Sequence, residues 1–232
     1  MVTPKAVIFD FFGTLVPNFS LSQHKAVLGK MADLMGAPRE AFIQQWFDTT
    51  VSRMTGEYTS TRANIEAICR TLEVPFDAES CEQAVAERYV YARANSAPRS
   101  TAIETLREIG KRGLKTGLIS DCSCELPDIW RETSFAPLFE VTTFSVVARI
   151  KKPNPLIYEM TAAQLGVACA DCLYVGDGGS NELAGAQAVG MRPIWLCDEA
   201  EQGPDAHRIG YQEWDGERIG DLSGVLEFIS EK

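Results

Sequence analysis

The stretch AVIFDFFGTLV, at residues 6–16, opens with four apolar residues and then reaches a carboxylate, Asp10. An unbroken apolar run of this kind is typical of a strand buried on both faces of a parallel sheet. Asp10 is therefore predicted to lie at the carboxyl end of a buried strand. In an open α/β sheet, ligands bind outside that end of the strands, where the strand order reverses.

Apolar strands alternate with helices from Ser100 onward. A helix is predicted in each interval between strands, and another, from Asp221 to Glu231, closes the chain. Because such alternation produces a parallel sheet covered on both faces, the predicted fold class is α/β, with a three-layer αβα Rossmann-like core. The further strands are predicted at residues 114–120, 140–144, 172–175 and 192–196.

The residues between the first strand and Ser100 leave this alternation and carry apolar side chains at helical spacing. This pattern predicts an all-helical insertion between the first strand and the rest of the sheet. The helices are predicted at residues 21–35, 41–53, 62–72 and 79–94.

The chain is acidic, with a formal net charge of -10 over 232 residues and no run of Lys or Arg. Nucleic acids and anionic membranes both require a basic patch, so neither is expected as a partner. We find no secretory signal and no apolar run approaching the roughly 18 residues of a membrane span, and a cytoplasmic location is expected. The seven cysteines are expected to be reduced thiols.

Three later segments match DFFGTL, which begins at Asp10, in chain order: LISD at 118–121, KKPNP at 151–155 and YVGDGGSNEL at 174–183. Together the four segments resemble the haloacid dehalogenase-like superfamily, in its subfamily with a helical cap. Members of this superfamily mostly hydrolyse phosphate esters through an aspartyl-phosphate. The resemblance implies a core domain of residues 1–16 and 98–232, and a helical cap domain of residues 17–97 that closes over the catalytic edge.

The resemblance also implies roles for the first segment and for the lysine. Asp10 is the expected nucleophile, which attacks phosphorus and needs only a cation to offset its charge against the phosphate. Gly13 and Thr14 are expected to hold the phosphoryl group. Lys152, which precedes Pro153, has the register of the lysine that neutralises the nucleophile and the phosphoryl oxygens.

Ser120 matches the Ser or Thr whose hydroxyl binds the transferring group, and Asp121 follows it where Asn is common. Cap residues select substrates in this family, so the resemblance also implies that Arg39, Arg53 and Tyr58, in the insertion, contact an anionic or aromatic substrate. The two histidines, His24 and His207, have no recognisable partner and are expected at the surface.

A magnesium site is implied by the first and fourth segments. Magnesium is a hard cation that prefers carboxylate oxygens and keeps some of its waters. The resemblance implies that the ion is held by Asp10, the backbone carbonyl of Phe12 and Asp177, with Glu182 as a further ligand or as a support for one. The expected substrate is a small phosphorylated metabolite, and the expected state is a monomer or a homodimer.

The sequence departs from the phosphatase pattern at Phe12, where a second aspartate normally protonates the leaving oxygen and then activates water. General acid–base help of this kind contributes roughly 10²–10⁴-fold, and phenylalanine supplies none of it. Three interpretations remain: a magnesium-dependent phosphohydrolase, a 2-haloacid dehalogenase-like enzyme that attacks carbon, and a phosphate-binding or regulatory module with weak turnover. The Gly-Asp pair at Gly176 and Asp177 favours the first, because the dehalogenase branch lacks it.

Overall fold

A computed structural model of the chain describes residues 3–198, 205, 210 and 214–229. A parallel sheet of six strands forms its centre, in the order β3-β2-β1-β4-β5-β6. The α/β fold class predicted from the sequence is confirmed. The strands are β1 (Ala6–Phe9), β2 (Lys115–Ser120), β3 (Val141–Phe144), β4 (Cys172–Gly176), β5 (Arg192–Leu196) and β6 (Arg218–Ile219).

The strand order reverses at β1, because the chain continues to β2 and β3 on one side and then returns to add β4 on the other. Phe9, the last residue of β1, lies level with Leu118 in β2 and Val175 in β4. Residues just beyond these three strands therefore meet at one edge of the sheet, which is the place where open α/β sheets bind ligands.

Both faces of the sheet are buried, and the alternation of side chains along β1 shows how. Val7 and Phe9 belong to one hydrophobic cluster, and Ala6 and Ile8 belong to another on the opposite face. Helices cover both clusters, which explains why β1 is apolar at every position. The core helices are α6 (Ala102–Lys111), α7 (Glu125–Ile129), α8 (Ser145–Ala148), α9 (Pro155–Leu165) and α10 (Glu182–Ala188).

The helices inserted after β1 enclose a third hydrophobic cluster, in which Leu28, Trp46 and Ile65 are fully buried. This separate cluster supports the predicted cap, but the division into two domains stays a prediction. No helix among the described residues is both long enough and apolar enough to cross a membrane. The inserted helices are α1 (Leu21–Leu34), α2 (Arg39–Asp48), α3 (Thr50–Met54), α4 (Thr61–Thr71) and α5 (Ala78–Ala94).

Two sequence-based expectations about elements are wrong, and one short strand has no counterpart in the sequence analysis. Strand β6 has only two residues, which is too short for a periodic signal, and it was not predicted. The predicted closing helix is a 3-10 helix, Leu222–Phe228, with Gly224 inside it, and Glu231 lies outside the described residues. The predicted helix at 41–53 is divided at Thr49, whose hydroxyl donates a hydrogen bond back to the helix it ends.

Candidate active site

The carboxylate of Asp10 lies at the carboxyl edge of the sheet, directly after β1. Its backbone N–H donates to the carbonyl of Val175, which extends the pairing of β1 with β4 by one residue. The Thr14 hydroxyl donates to Asp10 Oδ2 at 3.1 Å, and Thr14 is completely buried. Thr14 therefore orients the carboxylate, and its expected contact with a phosphoryl group stays a prediction.

Lys152 bridges the carboxylates of Asp10 and Glu182. Its Nζ donates to Asp10 Oδ1 and to Glu182 Oε2, both at 2.5 Å, and the side chain is 3% exposed. Asp121 accepts a hydrogen bond from the backbone N–H of Lys152 at 3.0 Å and pairs with Lys151 at 3.3 Å. Asp121 thus fixes the loop that carries Lys152, while its predicted role in substrate binding is untested.

One oxygen from each of three buried carboxylates, Asp10, Asp177 and Glu182, lies within 4.8 Å of the other two. Gly13 makes room for this arrangement, because a Cβ at that position would overlap the Asp177 carboxylate. The backbone of Gly13 also has a φ of 85°, a conformation that favours glycine. Three hard oxygen donors at this spacing fit a divalent cation such as Mg²⁺.

Among the described residues, the three carboxylates of the cluster share one buried ammonium, that of Lys152. Burial raises the pKa of Asp10, and the charge of Asp177 raises it further against the opposing effect of Lys152. Burial and the charge of Asp10 likewise raise the pKa of Glu182. Burial lowers the pKa of Lys152, but the facing carboxylates outweigh it and hold that pKa well above its ordinary value. The excess negative charge is what a divalent cation would compensate.

The Ser120 hydroxyl is completely buried at the end of β2 and has no nitrogen or oxygen partner among the described residues. The neighbouring thiol of Cys122 interacts with it. This hydroxyl at the carboxyl end of β2 has unused hydrogen-bonding capacity, and its role in binding the transferring group remains a prediction.

A cavity of about 130 Å³ extends from the carboxylate cluster toward the inserted helices, and the Phe12 side chain lines it. The Phe12 ring lies 4.6 Å from the ring of Phe19 and 4.9 Å from that of Phe11. Position 12 therefore presents a hydrocarbon surface to the cavity. The expected contact of its backbone carbonyl with a metal ion is untested.

Several residues of the inserted helices line this cavity, among them Arg53 and His24. Arg53 is 7% exposed and lines the same cavity as Asp10 and Lys152. His24 is buried and stacks on the ring of Tyr91, with 5.5 Å between centroids, so the expectation that it lies at the surface is wrong. His207, for which the same expectation was made, lies outside the described residues.

A sequence model described as a haloacid dehalogenase-like hydrolase matches residues 4–190, which is most of the chain. The chain belongs to the haloacid dehalogenase-like hydrolases. The resemblance inferred from the four segments is confirmed, and the protein is an enzyme of the hydrolase type.

Relatives of this hydrolase include enzymes of both chemistries. The haloacetate dehalogenase H-2 of Moraxella sp. is 25% identical over 87% of this chain and 92% of its own length. The phosphoserine phosphatase of Thermus thermophilus is 28% identical over 52% of this chain, which spans less than half (47%) of that phosphatase. A crystal structure of a phosphatase of the family from Thermococcus onnurineus superimposes with a TM-score of 0.67 at 21% identity, covering 98% of this chain and 99% of that one, and shares the fold.

Sequence reasoning missed two residues that shape the hydrolase site. The Tyr174 hydroxyl donates to Glu182 Oε2 at 2.7 Å. Tyr174 carries a hydroxyl within the otherwise apolar strand β4, and this feature of the sequence could have identified it. Arg99 donates to the backbone carbonyls of Gly13 and Thr14, both at 2.9 Å, and so braces the loop after Asp10. No local pattern marks Arg99, because its partners lie 85 and 86 residues away.

A buried ion pair joins the inserted helices to the core beside the cavity. Arg88 Nε on α5 donates to Glu125 Oε1 on α7 at 3.0 Å, and the hydroxyls of Thr61 and Ser123 also donate to Glu125. Burial would raise the pKa of Glu125, but Arg88 and Ser123 outweigh it and lower that pKa to about 2. The pair therefore stabilises the contact between α5 and α7 when Glu125 is ionised.

We expect Glu125→Gln to lower the free energy of unfolding at pH 7 by about 3–5 kcal/mol, because it leaves Arg88 buried without its carboxylate. The native pKa of Glu125 lies below the ordinary value of 4.5, so this stabilisation is complete above pH 4.5 and is lost as pH falls toward 2. Urea unfolding at a series of pH values measures both effects. Glu132→Gln, in the exposed pair with Arg93, is the control and should change little; equal behaviour of the two variants would contradict the assignment.

Proposed function

We propose that this hydrolase is a magnesium-dependent phosphohydrolase that cleaves a small phosphorylated metabolite through an aspartyl-phosphate on Asp10. The observation that carries the proposal is the cluster of Asp10, Asp177 and Glu182, whose oxygens lie within 4.8 Å of one another. A reaction in which the carboxylate attacks carbon needs the nucleophile alone. It does not need a cluster of three carboxylates. Phosphatases among the relatives, including the glyceraldehyde 3-phosphate phosphatase of Methanopyrus kandleri, support the same reaction class.

The residues that would hold Mg²⁺ are Asp10, Asp177 and the backbone carbonyl of Phe12, with Glu182 as a ligand or as a support for one. When bound, the ion would offset the repulsion between the Asp10 carboxylate and the phosphate and draw charge from the phosphoryl oxygens. Burial is the main cause of the raised pKa values of Asp10 and Glu182, and neighbouring carboxylates add to it, so a cation bound between these groups would favour their ionised forms.

In the proposed reaction the Asp10 carboxylate attacks phosphorus, a new O–P bond forms, and the ester P–O bond breaks with its electron pair on the leaving oxygen. The Lys152 ammonium neutralises the nucleophile and the phosphoryl oxygens, and the Ser120 hydroxyl donates to a phosphoryl oxygen. Water then hydrolyses the aspartyl-phosphate, which releases phosphate and restores Asp10.

The leaving oxygen departs on the side of the cavity that Phe12 lines. A phenyl ring donates no proton, so the proposed enzyme favours substrates whose leaving group is stable as an anion, such as acyl or aryl phosphates. We expect the rate of phosphate release to fall steeply as the pKa of the leaving alcohol rises, because nothing at position 12 compensates the developing charge.

We expect EDTA to abolish phosphate release from an aryl phosphate, and added Mg²⁺ to restore it. Mg²⁺ should also raise the midpoint of thermal unfolding of the wild-type protein, because binding to the native state alone stabilises it. Asp177→Asn is expected to lose both responses, while Asp48→Asn, at an exposed position of α2, keeps them. Phosphate release that persists in EDTA would overturn the metal assignment.

A second candidate reaction is 2-haloacid dehalogenation, which Phe12 favours because a departing halide needs no proton. The similarity to the Moraxella dehalogenase, which extends over 92% of that enzyme's length, supports the same alternative. Chloride release from 2-chloropropionate that persists in EDTA would favour it over phosphate hydrolysis. If neither product forms but phosphate and Mg²⁺ together raise the unfolding midpoint, the third interpretation, a binding or regulatory module, is favoured.

A cytoplasmic location and a monomeric or dimeric state stay predictions.

A further inference from the structure

The guanidinium of Arg53 is buried, and no carboxylate of the described residues lies within ion-pair distance of it. Arg53 lies on α3, is 7% exposed, and forms no ion pair with any described residue. Its Nη1 donates to the carbonyl of Trp46 and to the Thr49 hydroxyl, and its Nη2 donates to the Thr50 hydroxyl at 3.2 Å. A guanidinium has five N–H donors, so two of them have no partner in the described part of the chain.

The second arginine on this side of the cavity has a different environment. Arg88 is paired with Glu125 at 3.0 Å, so its charge is already compensated. Among the described residues, Arg53 is therefore the arginine of this wall that has no carboxylate at ion-pair distance. Burial and the neighbouring charge of Arg88 lower the pKa of Arg53 to about 9, against the opposing effect of the Glu125 carboxylate.

The cavity that Arg53 and the catalytic cluster line also has several aromatic side chains in its lining. Phe12 lies 4.6 Å from Phe19, and Phe19 stacks on Tyr91 with 5.9 Å between centroids. Phe47 also lines this cavity, whose volume is about 130 Å³. Such a surface favours an apolar or flat carbon skeleton.

We propose that Arg53 binds a carboxylate of the substrate, which would then be a phosphate ester whose phosphoryl group faces Asp10 and whose apolar or aromatic skeleton ends in a carboxylate. The two N–H donors of Arg53 that have no partner among the described residues match the two oxygens of a carboxylate, and a guanidinium pairs with a carboxylate through two parallel hydrogen bonds. Only the part of this inference that places a phosphoryl group of the substrate beside Asp10 rests on the proposed phosphohydrolase function. Arg53 is then a specificity-determining residue.

Two matched pairs of small molecules test this inference in separate assays. The first assay compares kcat/KM for 3-carboxyphenyl phosphate with kcat/KM for 3-carbamoylphenyl phosphate, which differ in charge but little in shape. The second compares the binding of benzoate and benzamide to the Mg²⁺-free protein by calorimetry, which needs no turnover. We expect a preference for the carboxylate of about tenfold or more in both assays, because hydrogen bonds to charged groups are worth at least that much.

Arg53→Gln is expected to reduce both preferences toward unity, and Arg53→Lys, which keeps the charge, should retain part of them. Each preference is a ratio within one variant, so it does not depend on how much a variant is destabilised. Arg39→Gln is the matched control, because Arg39 lies exposed on the neighbouring helix α2 and pairs with Asp33; it should keep both preferences.

The assays separate this inference from the proposed function. Hydrolysis of both phosphates at similar kcat/KM, with equal binding of benzoate and benzamide, would overturn the carboxylate site and leave the phosphohydrolase intact. Binding of benzoate that depends on Arg53, with no hydrolysis of either ester, would support the site and count against the phosphohydrolase. A carboxylate preference that survives in Arg53→Gln would assign it to another residue and overturn the inference.

Discussion

Asp10→Asn is expected to lower the rate of phosphate release by at least about 10⁴-fold, because an amide does not form the acyl phosphate on which the proposed reaction depends. Asparagine has the shape of aspartate, and the Thr14 hydroxyl and Lys152 remain in place around it. The variant also removes one of three mutually repelling carboxylates. Because burial and Asp177 already disfavour the ionised form of Asp10, the variant should unfold at a temperature no lower than the wild type.

The measurement combines steady-state phosphate release with intact-protein mass spectrometry of samples quenched in acid. The wild-type protein should carry one phosphoryl group during turnover of an aryl phosphate, and the variant should carry none. Asp48→Asn changes an exposed aspartate in the same way and should keep both activity and the phosphoprotein. If Asp10→Asn retained a substantial fraction of the activity, another group would be the nucleophile and the proposed mechanism would be wrong.

The position of the catalytic edge could be predicted because it depends on short-range sequence patterns. An apolar run that stops at Asp10, and another that stops at Gly176 and Asp177, identify strand ends, and parallel strands bring their carboxyl ends to one edge. Lys152 could be placed by the resemblance alone, since its contact with Asp10 spans 142 residues. Asp10 and Asp177 therefore lie close together, because each follows the end of one of two adjacent parallel strands, β1 and β4.

The far side of the cavity could not be predicted, because it depends on how the inserted helices pack onto the core. Helical spacing identifies which residues of α1 and α5 are apolar, but it does not show that His24 and Tyr91 stack on each other. Arg88 and Glu125 are 37 residues apart and form one buried ion pair, which neither local segment indicates. The resemblance makes Arg53 a candidate because it is a cap residue, but it does not show that Arg53 is buried against the end of α2, where it donates to Trp46 and Thr49.

Phe12→Asp is expected to raise the rate of phosphate release from alkyl phosphates by about 10²–10⁴-fold, because it supplies the general acid that the wild-type site lacks. Phe12 lines the cavity next to the catalytic cluster, so a carboxyl group there faces the leaving oxygen. The apolar rings of Phe11 and Phe19 should raise the pKa of the introduced aspartate and keep a fraction of it protonated near neutral pH. Rates for acyl and aryl phosphates, whose leaving groups need little protonation, should change much less.

The dependence of rate on the pKa of the leaving group is therefore the decisive measurement, and it should become shallower in Phe12→Asp than in the wild type. Phe12→Leu is the control, because it removes the ring contact with Phe19 without adding a carboxyl group, and it should leave the dependence steep. A gain that is equal for alkyl and aryl phosphates would indicate a change in binding. No gain for any alkyl phosphate would mean that position 12 does not face the leaving group, and the departure from the phosphatase pattern would then have no bearing on proton transfer.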